Sequence, residues 1–168
     1  MKIFLIGFMG SGKSTAGKIL AEALGYSFID LDEAIENGEN KTIREIFEQE
    51  GEPHFRVLEA QYLKALKSKD NIVIATGGGT PCHNDLIKWM NDEGMTIYLQ
   101  ATVDQLELRL RKEMSERPLL MDKDPSELRQ YIKDTLAKRD ADYNKAKMKL
   151  PATGTDWNTI AKRLKNLD

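Results

Sequence analysis

The sequence predicts a three-layer α/β fold, in which helices cover both faces of a parallel sheet. Short apolar runs typical of strands alternate with longer segments of helical periodicity, and this alternation requires crossover connections between parallel strands. The 168 residues suit one domain that is large enough to bury a core. Hydrophobic residues make up 40% of the chain and charged residues 31%, which is ordinary for a globular protein.

The strand-like runs lie at 3–6, 26–31, 72–75 and 95–99, with a weaker candidate at 148–150. Helical patterns lie between them, at 13–24, 33–37, 42–67, 83–92, 103–112, 125–146 and 155–166. We expect the pattern at 42–67 to break into two helices at Gly51-Glu52-Pro53, because proline disrupts a helix interior. Ligands of such sheets bind beyond the carboxyl ends of the strands, so functional residues should follow each strand directly.

A glycine-rich loop follows the first strand. Residues 7–15, Gly-Phe-Met-Gly-Ser-Gly-Lys-Ser-Thr, fit the pattern G-x-x-x-x-G-K-[ST]. Glycines let successive backbone N–H groups point at phosphate oxygens, and the helix that begins near Lys13 adds the positive end of its dipole. Lys13 would reach the β- and γ-phosphates of a nucleotide, and the Ser14 hydroxyl would coordinate Mg²⁺. A flexible turn is the alternative, but the strand–loop–helix context favours phosphate binding.

Two aspartates close the second strand. In an extended segment residues two apart project to the same side, so Asp30 and Asp32 can face one site. One would hold a water of the Mg²⁺ shell, and the other would accept a hydrogen bond from an acceptor hydroxyl. Helix capping is the alternative, because Asp30 precedes Glu33 by three residues, as in a capping box. Downstream of a phosphate loop we favour the functional interpretation.

Two further features suggest an acceptor site. Arg56 and Glu59 are neighbours on one helical face, either as a surface ion pair or with Glu59 steadying Arg56 for bidentate capture of a substrate carboxylate. Gly77, Gly78 and Gly79 follow the third strand and provide no side-chain packing. They form either a plain turn or a place where a ligand approaches the backbone closely, and their position at a strand end favours the ligand.

A charged stretch from Arg109 to Asp124 carries apolar residues in its middle. The segment Arg117-Pro118-Leu119-Leu120 cannot be an ordinary helix interior because of its proline. A mobile loop that carries Arg117 suits a lid that closes over phosphates and excludes water, and a solvated linker is the alternative. Arg139 lies on the following helix, where a solvated charge is the default interpretation.

Composition argues against several other classes of protein. The net charge of −2 gives no electrostatic case for binding nucleic acid or an anionic membrane. Cys82 is the only cysteine, so no internal disulfide can form, and a free buried thiol in a reducing compartment is expected. The first apolar run leads directly into the glycine loop and indicates a strand rather than a signal peptide, and no run is long enough to cross a bilayer. We expect a cytoplasmic monomer with no nucleic-acid or membrane partner.

Over roughly residues 1–165 the chain resembles the shikimate kinase family. The matching features are the glycine-rich loop, the Asp30-x-Asp32 pair, Gly51-Glu52-Pro53-x-Phe55-Arg56-x-x-Glu59, Thr76-Gly77-Gly78-Gly79, Arg117-Pro118-Leu119-Leu120 and Arg139-x-x-x-Tyr143. The glycine loop occurs in many phosphotransferases, whereas the ordered combination is highly specific. The resemblance implies a three-layer P-loop kinase fold with a five-stranded parallel sheet of order 2-3-1-4-5. It also implies a single domain over 1–168, with a substrate-binding segment at about 31–60 and a lid at about 112–124.

The resemblance further implies the roles of individual residues. Lys13, Asp32 and Arg117 would be catalytic, and Ser14 and Asp30 would serve Mg²⁺. The residues implied to bind ATP are Gly10, Ser11, Gly12, Lys13, Ser14, Thr15 and Arg117. Those implied to bind shikimate are Asp32, Phe47, Phe55, Arg56, Glu59, Gly77, Gly78, Gly79 and Arg139. No residue that contacts the base follows from the loop at 150–155, and either Arg109 or Arg111 fits the family's other basic residue before the lid.

The expected reaction is transfer of the γ-phosphate of ATP to the 3-hydroxyl of shikimate, which gives shikimate 3-phosphate and ADP. Within enzymes, the alternative is another P-loop small-molecule kinase, such as a gluconate kinase. Outside enzymes, it is a nucleotide-binding switch or a non-catalytic binding module. The presence of Lys13, Ser14, both aspartates and Arg117 argues against loss of the catalytic set.

Overall fold

Five strands form one parallel sheet in the computed structural model, which describes residues 1–117 and 119–167. The strands are β1 (Lys2–Ile6), β2 (Ser27–Asp30), β3 (Ile72–Ala75), β4 (Met95–Gln100) and β5 (Met148–Pro151). Their order is β2-β3-β1-β4-β5, and every pairing is parallel. The α/β class and the strand order expected from the sequence are therefore confirmed.

Eight α-helices connect or flank these strands within the described residues. They are α1 (Lys13–Leu24), α2 (Leu31–Glu39), α3 (Ile43–Glu50), α4 (Glu52–Ala65), α5 (Leu86–Glu93), α6 (Val103–Arg111), α7 (Leu128–Tyr143) and α8 (Trp157–Lys165). Short 3₁₀ turns lie at Leu66–Ser68, Thr80–Cys82, Met114–Glu116 and Pro125–Glu127.

The sheet separates two hydrophobic cores. Ile3 and Leu5 of β1 enter one core, which α1 and α8 cover, while Phe4 and Ile6 enter the other core with residues of the remaining helices. This alternation follows from the two-residue period of a strand, because successive side chains point to opposite faces. All four side chains are fully buried, so β1 is the central strand on which both layers of helices pack.

The interruption within 42–67 is shorter than the sequence suggests. Gly51 alone separates α3 from α4, and its φ of 85° is a conformation that side chains disfavour. Glu52 and Pro53 already belong to the first turn of α4, where a backbone N–H has no helical partner to lose. Proline therefore begins the second helix here instead of ending the first.

The second strand also differs from the expected geometry. β2 ends at Asp30, and the next residue already belongs to α2, so Asp32 is helical rather than extended. The prediction that the two carboxylates share a side because they lie two apart on a strand was therefore wrong. Asp30 is the N-cap of α2, as the capping interpretation proposed, and its side chain accepts from Asp32 N and Glu33 N.

Two further expectations concern the thiol and the membrane. Cys82 is free and half-buried, and burial raises its pKa to about 11, so the thiol is unreactive at neutral pH. None of the helices in the described part of the chain combines the length and apolar character that a membrane span requires.

Candidate active site

A cleft of about 1080 Å³ opens where β1, β2 and β3 end. Its walls include the glycine loop after β1, the aspartates after β2 and the glycines after β3. This is the edge at which the ligands of parallel sheets bind. With the exception of Ser11, every site residue named from the sequence lines the cleft.

The glycine loop is folded as a phosphate-binding loop requires. Gly10 and Gly12 have φ values of 77° and 88°, a left-handed conformation that glycine adopts readily. Lys13 is 8% exposed, and its Nζ donates to the carbonyl oxygens of Gly7 at 2.9 Å and Phe8 at 2.8 Å. The lysine therefore stabilises the loop through these two hydrogen bonds while it also borders the cleft.

The charge of Lys13 is set by its surroundings. Burial lowers its pKa to about 8, and the positive charges of Arg117 and Arg139 act in the same direction. The negative charge of Asp32 opposes this decrease. At neutral pH most molecules therefore still carry a protonated Lys13 beside two arginines, which makes this part of the cleft an anion site.

Ser11 is placed differently from its neighbours in the loop. It is fully buried and does not border the cleft, and its backbone N–H donates to Phe8 O at 3.1 Å. Its hydroxyl has no hydrogen-bond partner among the described residues. Ser11 thus contributes to the shape of the loop, and its contact with ATP stays a prediction.

Ser14 and Asp30 meet at the floor of the cleft. The Ser14 hydroxyl donates to Asp30 Oδ2, while Asp30 Oδ1 accepts from the backbone of Asp32 at 3.0 Å and of Glu33 at 3.4 Å. One carboxylate therefore caps a helix and borders the cleft, so the capping interpretation of Asp30 is confirmed and its service to Mg²⁺ stays a prediction. A hydroxyl and a carboxylate side by side fit Mg²⁺, which prefers oxygen ligands. The described residues contain no cluster of three or more His, Cys, Asp or Glu for a metal, and Mg²⁺ ordinarily takes its other ligands from phosphates and water.

Asp32 borders the cleft, and the charges of Lys13 on the loop and of Glu59 on the acceptor side both act on it. Its Oδ1 is buried and has no hydrogen-bond partner among the described residues. Burial raises its pKa to about 7, the negative charges of Glu59 and Asp30 add to the increase, and Lys13 opposes it. A carboxyl group that titrates near neutral pH is suited to accept a proton from a hydroxyl.

The acceptor side contains a buried ion pair. Arg56 Nη1 lies 2.6 Å from Glu59 Oε2, and the two residues are 8% and 1% exposed. The remaining oxygen of Glu59 accepts from Thr80 Oγ1 at 2.5 Å, and Arg56 Nη2 donates to Glu52 at 2.9 Å. Arg56 Nε is buried without a partner among the described residues. The two residues therefore do not form the surface ion pair that was one of the two alternatives. Their geometry favours the other alternative, in which Glu59 orients Arg56.

The three glycines allow close approach, but the groups that approach are protein atoms. A Cβ on Gly79 would lie 2.6–2.8 Å from the Arg56 guanidinium, and one on Gly78 would lie 3.0 Å from Met9 N. Any side chain at these positions would displace the arginine or the phosphate loop. The absence of side chains at Gly78 and Gly79 therefore lets Arg56 and the phosphate loop approach the glycine segment closely.

An aromatic wall and a second arginine complete this side. The rings of Phe47 and Phe55 lie 5.0 Å apart and both border the cleft. The Arg139 guanidinium lies 5.6 Å from the Phe8 ring centroid. Arg139 Nη1 is buried and has no hydrogen-bond partner in the described part of the chain. Two guanidinium groups that each have a buried N–H nitrogen without a partner among the described residues suit a carboxylate ligand.

Residues of the segment expected to form a lid line the cleft, and its role as a lid stays a prediction. Arg117 borders the cleft and donates to Glu113 Oε2 from Nε at 2.8 Å and from Nη2 at 2.5 Å. Leu120 is fully buried, so an apolar side chain anchors this segment in the core. Pro118, the second residue of the expected motif, lies outside the described residues.

The two candidates for the basic residue before the lid, Arg109 and Arg111, are placed differently, and only Arg109 borders the cleft. Arg109 borders the cleft and donates to Gly10 O at 3.0 Å and to Thr153 Oγ1 at 3.3 Å. Arg111 instead pairs with Glu107 at 2.8 Å and does not border the cleft. Trp157 at the start of α8 also lines the cleft. A single tryptophan at a helix start carries no motif, so nothing in the sequence marks Trp157 as a site residue.

Comparison with known proteins identifies the family. The shikimate kinase family model matches residues 9–167. A shikimate kinase from Azobacteroides pseudotrichonymphae is 49% identical over 146 residues, which cover 86% of each chain. The crystal structure of a shikimate kinase from Bacteroides thetaiotaomicron has a TM-score of 0.88 and 40% identity, and the match covers 99% of this chain and 97% of that one. An Acinetobacter baumannii shikimate kinase in complex with shikimate has a TM-score of 0.87 and 34% identity, covering 99% and 91% of the two chains. The chain therefore belongs to the shikimate kinase family.

Proposed function

We propose that the protein transfers the γ-phosphate of ATP to the 3-hydroxyl of shikimate, giving shikimate 3-phosphate and ADP for aromatic amino acid biosynthesis by way of chorismate. As a member of the shikimate kinase family the chain is a kinase that uses ATP. One observation carries the assignment of its residues. The phosphate loop and a pocket with two partly unpaired guanidinium groups open into the same cleft, which Asp32 also borders.

Positioning and charge neutralisation are the main requirements of phosphoryl transfer. Lys13 and Arg117 would bind the oxygens of the transferred phosphoryl group from the loop and from the lid. Mg²⁺, held by Ser14 and through Asp30, would supply further positive charge at the phosphate oxygens when bound. The pairing of Arg117 with Glu113 is exposed enough to be exchanged for a phosphate at little cost in free energy.

Asp32 would orient the acceptor hydroxyl and take its proton. As the bond forms between the 3-hydroxyl oxygen and the γ-phosphorus, the bond from that phosphorus to the β–γ bridging oxygen breaks, and ADP leaves with the bonding electrons. The proton of the hydroxyl passes to Asp32. A pKa of about 7 matches this task, because half of the carboxyl groups are ionised at neutral pH.

The acceptor pocket would hold shikimate by its carboxylate. Arg56 and Arg139 each have a buried nitrogen without a partner among the described residues, and a carboxylate can accept from both. Phe47 and Phe55 would contact the apolar face of the ring. At the opposite end, Arg109 and Trp157 would lie against the adenine base, since planar groups of both kinds stack on aromatic rings.

The role of Mg²⁺ can be tested at Ser14. We expect Ser14→Ala to increase the Mg²⁺ concentration for half-maximal turnover by about 10–100-fold, because it removes an oxygen ligand. Calorimetry should show that Mg²⁺ no longer improves ATP affinity to the same extent. Ser27→Ala is the matched control, since that hydroxyl bonds Asn71 O away from the cleft. An unchanged Mg²⁺ requirement would exclude Ser14 as a ligand.

The acceptor pocket can be tested at Arg56. Arg56→Ala would leave Glu59 buried and uncompensated, so Arg56→Lys, which keeps the charge and loses the planar fork, is the better variant. We expect KM for shikimate to increase about tenfold and KM for ATP to stay unchanged. Arg44→Lys is the control, because Arg44 borders the same cleft but is exposed and paired with Glu48. Equal effects of the two variants on KM for shikimate would contradict the assignment.

The reaction itself is tested by ADP release with ATP, Mg²⁺ and a panel of hydroxylated acceptors. Shikimate should have a much higher kcat/KM than gluconate or neutral sugars, because two arginines and an apolar wall match a ring that carries a carboxylate. Preference for gluconate would indicate a related small-molecule kinase. ATP binding without turnover of any acceptor would indicate a non-catalytic module.

We also propose that the protein acts as a monomer in the cytoplasm and has only small-molecule partners. The single cysteine supports a reducing compartment. Light scattering at enzyme concentrations used in the assay measures the oligomeric state, and a dimer mass would overturn that part.

A further inference from the structure

We propose that Tyr143 is a positioning residue of the acceptor site, whose hydroxyl holds the Gly78 carbonyl and so supports the Arg139 guanidinium that packs against this peptide. The proposal rests on the function proposed for this cleft. Tyr143 does not border the cleft, and the mechanism above does not use it.

The hydroxyl of Tyr143 is buried and donates a hydrogen bond to the acceptor site. Tyr143 is the last residue of α7, has no exposed surface, and donates from its hydroxyl to Gly78 O at 2.5 Å. Arg139 lies one turn earlier on the same helix, and its positive charge acts on the same phenol. The one O–H donor of the phenol is therefore used by the glycine segment of the acceptor site, beside the Arg139 guanidinium.

The position of this hydroxyl is rigid. The Tyr143 ring packs against the Tyr98 ring with 5.0 Å between centroids, and the surrounding core is buried. Burial raises the pKa of Tyr143, so the phenol keeps its proton and donates throughout the physiological range. Packing therefore holds the Tyr143 ring, and with it the hydroxyl, in one position next to the pocket.

The fixed hydroxyl acts on Gly78 directly and on Arg139 through the Gly78 peptide. Because a peptide unit is planar and trans, fixing the Gly78 carbonyl also fixes the direction of the Gly79 N–H. A Cβ on Gly78 would lie 3.1 Å from Arg139 Nη1, so the guanidinium packs directly against this peptide. Nη1 itself is buried and unpartnered among the described residues, which leaves it for a ligand.

Loss of the hydroxyl should therefore affect the acceptor more than the nucleotide. In Tyr143→Phe, Gly78 O would lose its buried donor, and the peptide against which the Arg139 guanidinium packs would be held less firmly. We expect KM for shikimate to increase about tenfold, with KM for ATP unchanged and kcat reduced less than threefold. Purely structural damage would instead lower the amount of active enzyme, which reduces kcat at constant KM.

Tyr98→Phe is the matched control, because it removes a hydroxyl from the ring that stacks on Tyr143 and leaves the glycine segment untouched. The proposal requires that only Tyr143→Phe changes KM for shikimate. In an Arg139→Met background the further effect of Tyr143→Phe should be smaller than in the wild type, since part of it acts through Arg139. Full additivity, or a KM within twofold of wild type in Tyr143→Phe, would overturn the proposal.

A measurement on the unaltered protein covers the case in which Tyr143→Phe does not fold. With ¹³C at the tyrosine Cζ, saturating shikimate should shift the Tyr143 signal, because Arg139 then shares its charge between the phenol and the carboxylate. An unshifted signal would overturn the proposal. Arg56→Lys, assayed in parallel, distinguishes failure of the positioning role of Tyr143 from failure of the proposed acceptor site. If it weakens shikimate and Tyr143→Phe does not, only the positioning role fails, whereas if neither weakens shikimate the proposed acceptor site itself fails.

Discussion

An Arg117→Ala variant is expected to lose about 10³–10⁵-fold in kcat while it folds normally. Arg117 borders the cleft, and its positive charge already acts on Lys13 across it. The side chain is about one-third exposed and pairs with the partly exposed carboxylate of Glu113, so its removal should change the free energy of unfolding by less than about 1 kcal/mol. Turnover at saturating ATP and shikimate measures the first effect, and urea unfolding measures the second.

Arg111→Ala is the matched control for this experiment. Arg111 lies near the lid and pairs with Glu107 four residues earlier, just as Arg117 pairs with Glu113, but it does not border the cleft. Its removal should leave kcat within about twofold of the wild type. Turnover close to normal in Arg117→Ala would remove this arginine from the mechanism, and an equal loss in both variants would point to a general effect on the lid.

Replacing Asp32 by asparagine is expected to reduce kcat by about 10²–10⁴-fold, the usual contribution of a general base. Asparagine keeps the size of the side chain and cannot take up the hydroxyl proton. Glu33→Gln provides the control, because Glu33 is the adjacent exposed carboxylate at the edge of the same cleft. An Asp32→Asn enzyme with more than a tenth of normal turnover would show that the hydroxyl needs no base at this position.

The pH dependence carries the same assignment. In the wild type kcat/KM should increase through about pH 7 as Asp32 ionises and decrease above about pH 8 as Lys13 loses its charge. Asp32→Asn should lose the limb near pH 7. Because folding raises the pKa of Asp32 from 3.8 to about 7, the folded state binds this proton more tightly, and the free energy of unfolding should fall as pH rises through that window. Asp32→Asn should flatten this decrease.

Local patterns in the sequence predicted the elements that local interactions build. The glycine loop could be recognised because residues 7–15 are contiguous, and the strands because residues 3–6 of β1 and all of β3 are apolar. The break at Gly51-Glu52-Pro53 is confirmed, but its cause differs from the expected one, since Pro53 lies in the first turn of the second helix and Gly51 separates the two helices. The expected position of Asp32 was right in effect and wrong in cause, because a helix cap and a strand end both place it beside the loop.

Contacts between distant residues could not be predicted in this way. The hydroxyls of Tyr143 and Thr80 meet Gly78 O and Glu59 across 65 and 21 residues of sequence, and only the folded sheet brings them together. The burial of Arg56 and Glu59 depends on the same long-range packing, so spacing alone left a surface pair as an open alternative. Trp157 borders the cleft because α8 returns to α1 at the end of the chain.

The central claim is that one cleft holds a triphosphate and an anionic alcohol in contact. A crystal structure of the protein with Mg²⁺, a non-hydrolysable ATP analogue and shikimate tests it most directly. We expect the 3-hydroxyl oxygen about 3–3.5 Å from the γ-phosphorus. This oxygen should lie within hydrogen-bond distance of Asp32, and the carboxylate should lie between Arg56 and Arg139. A ring bound far from the terminal phosphate, or a glycine loop without nucleotide, would contradict it.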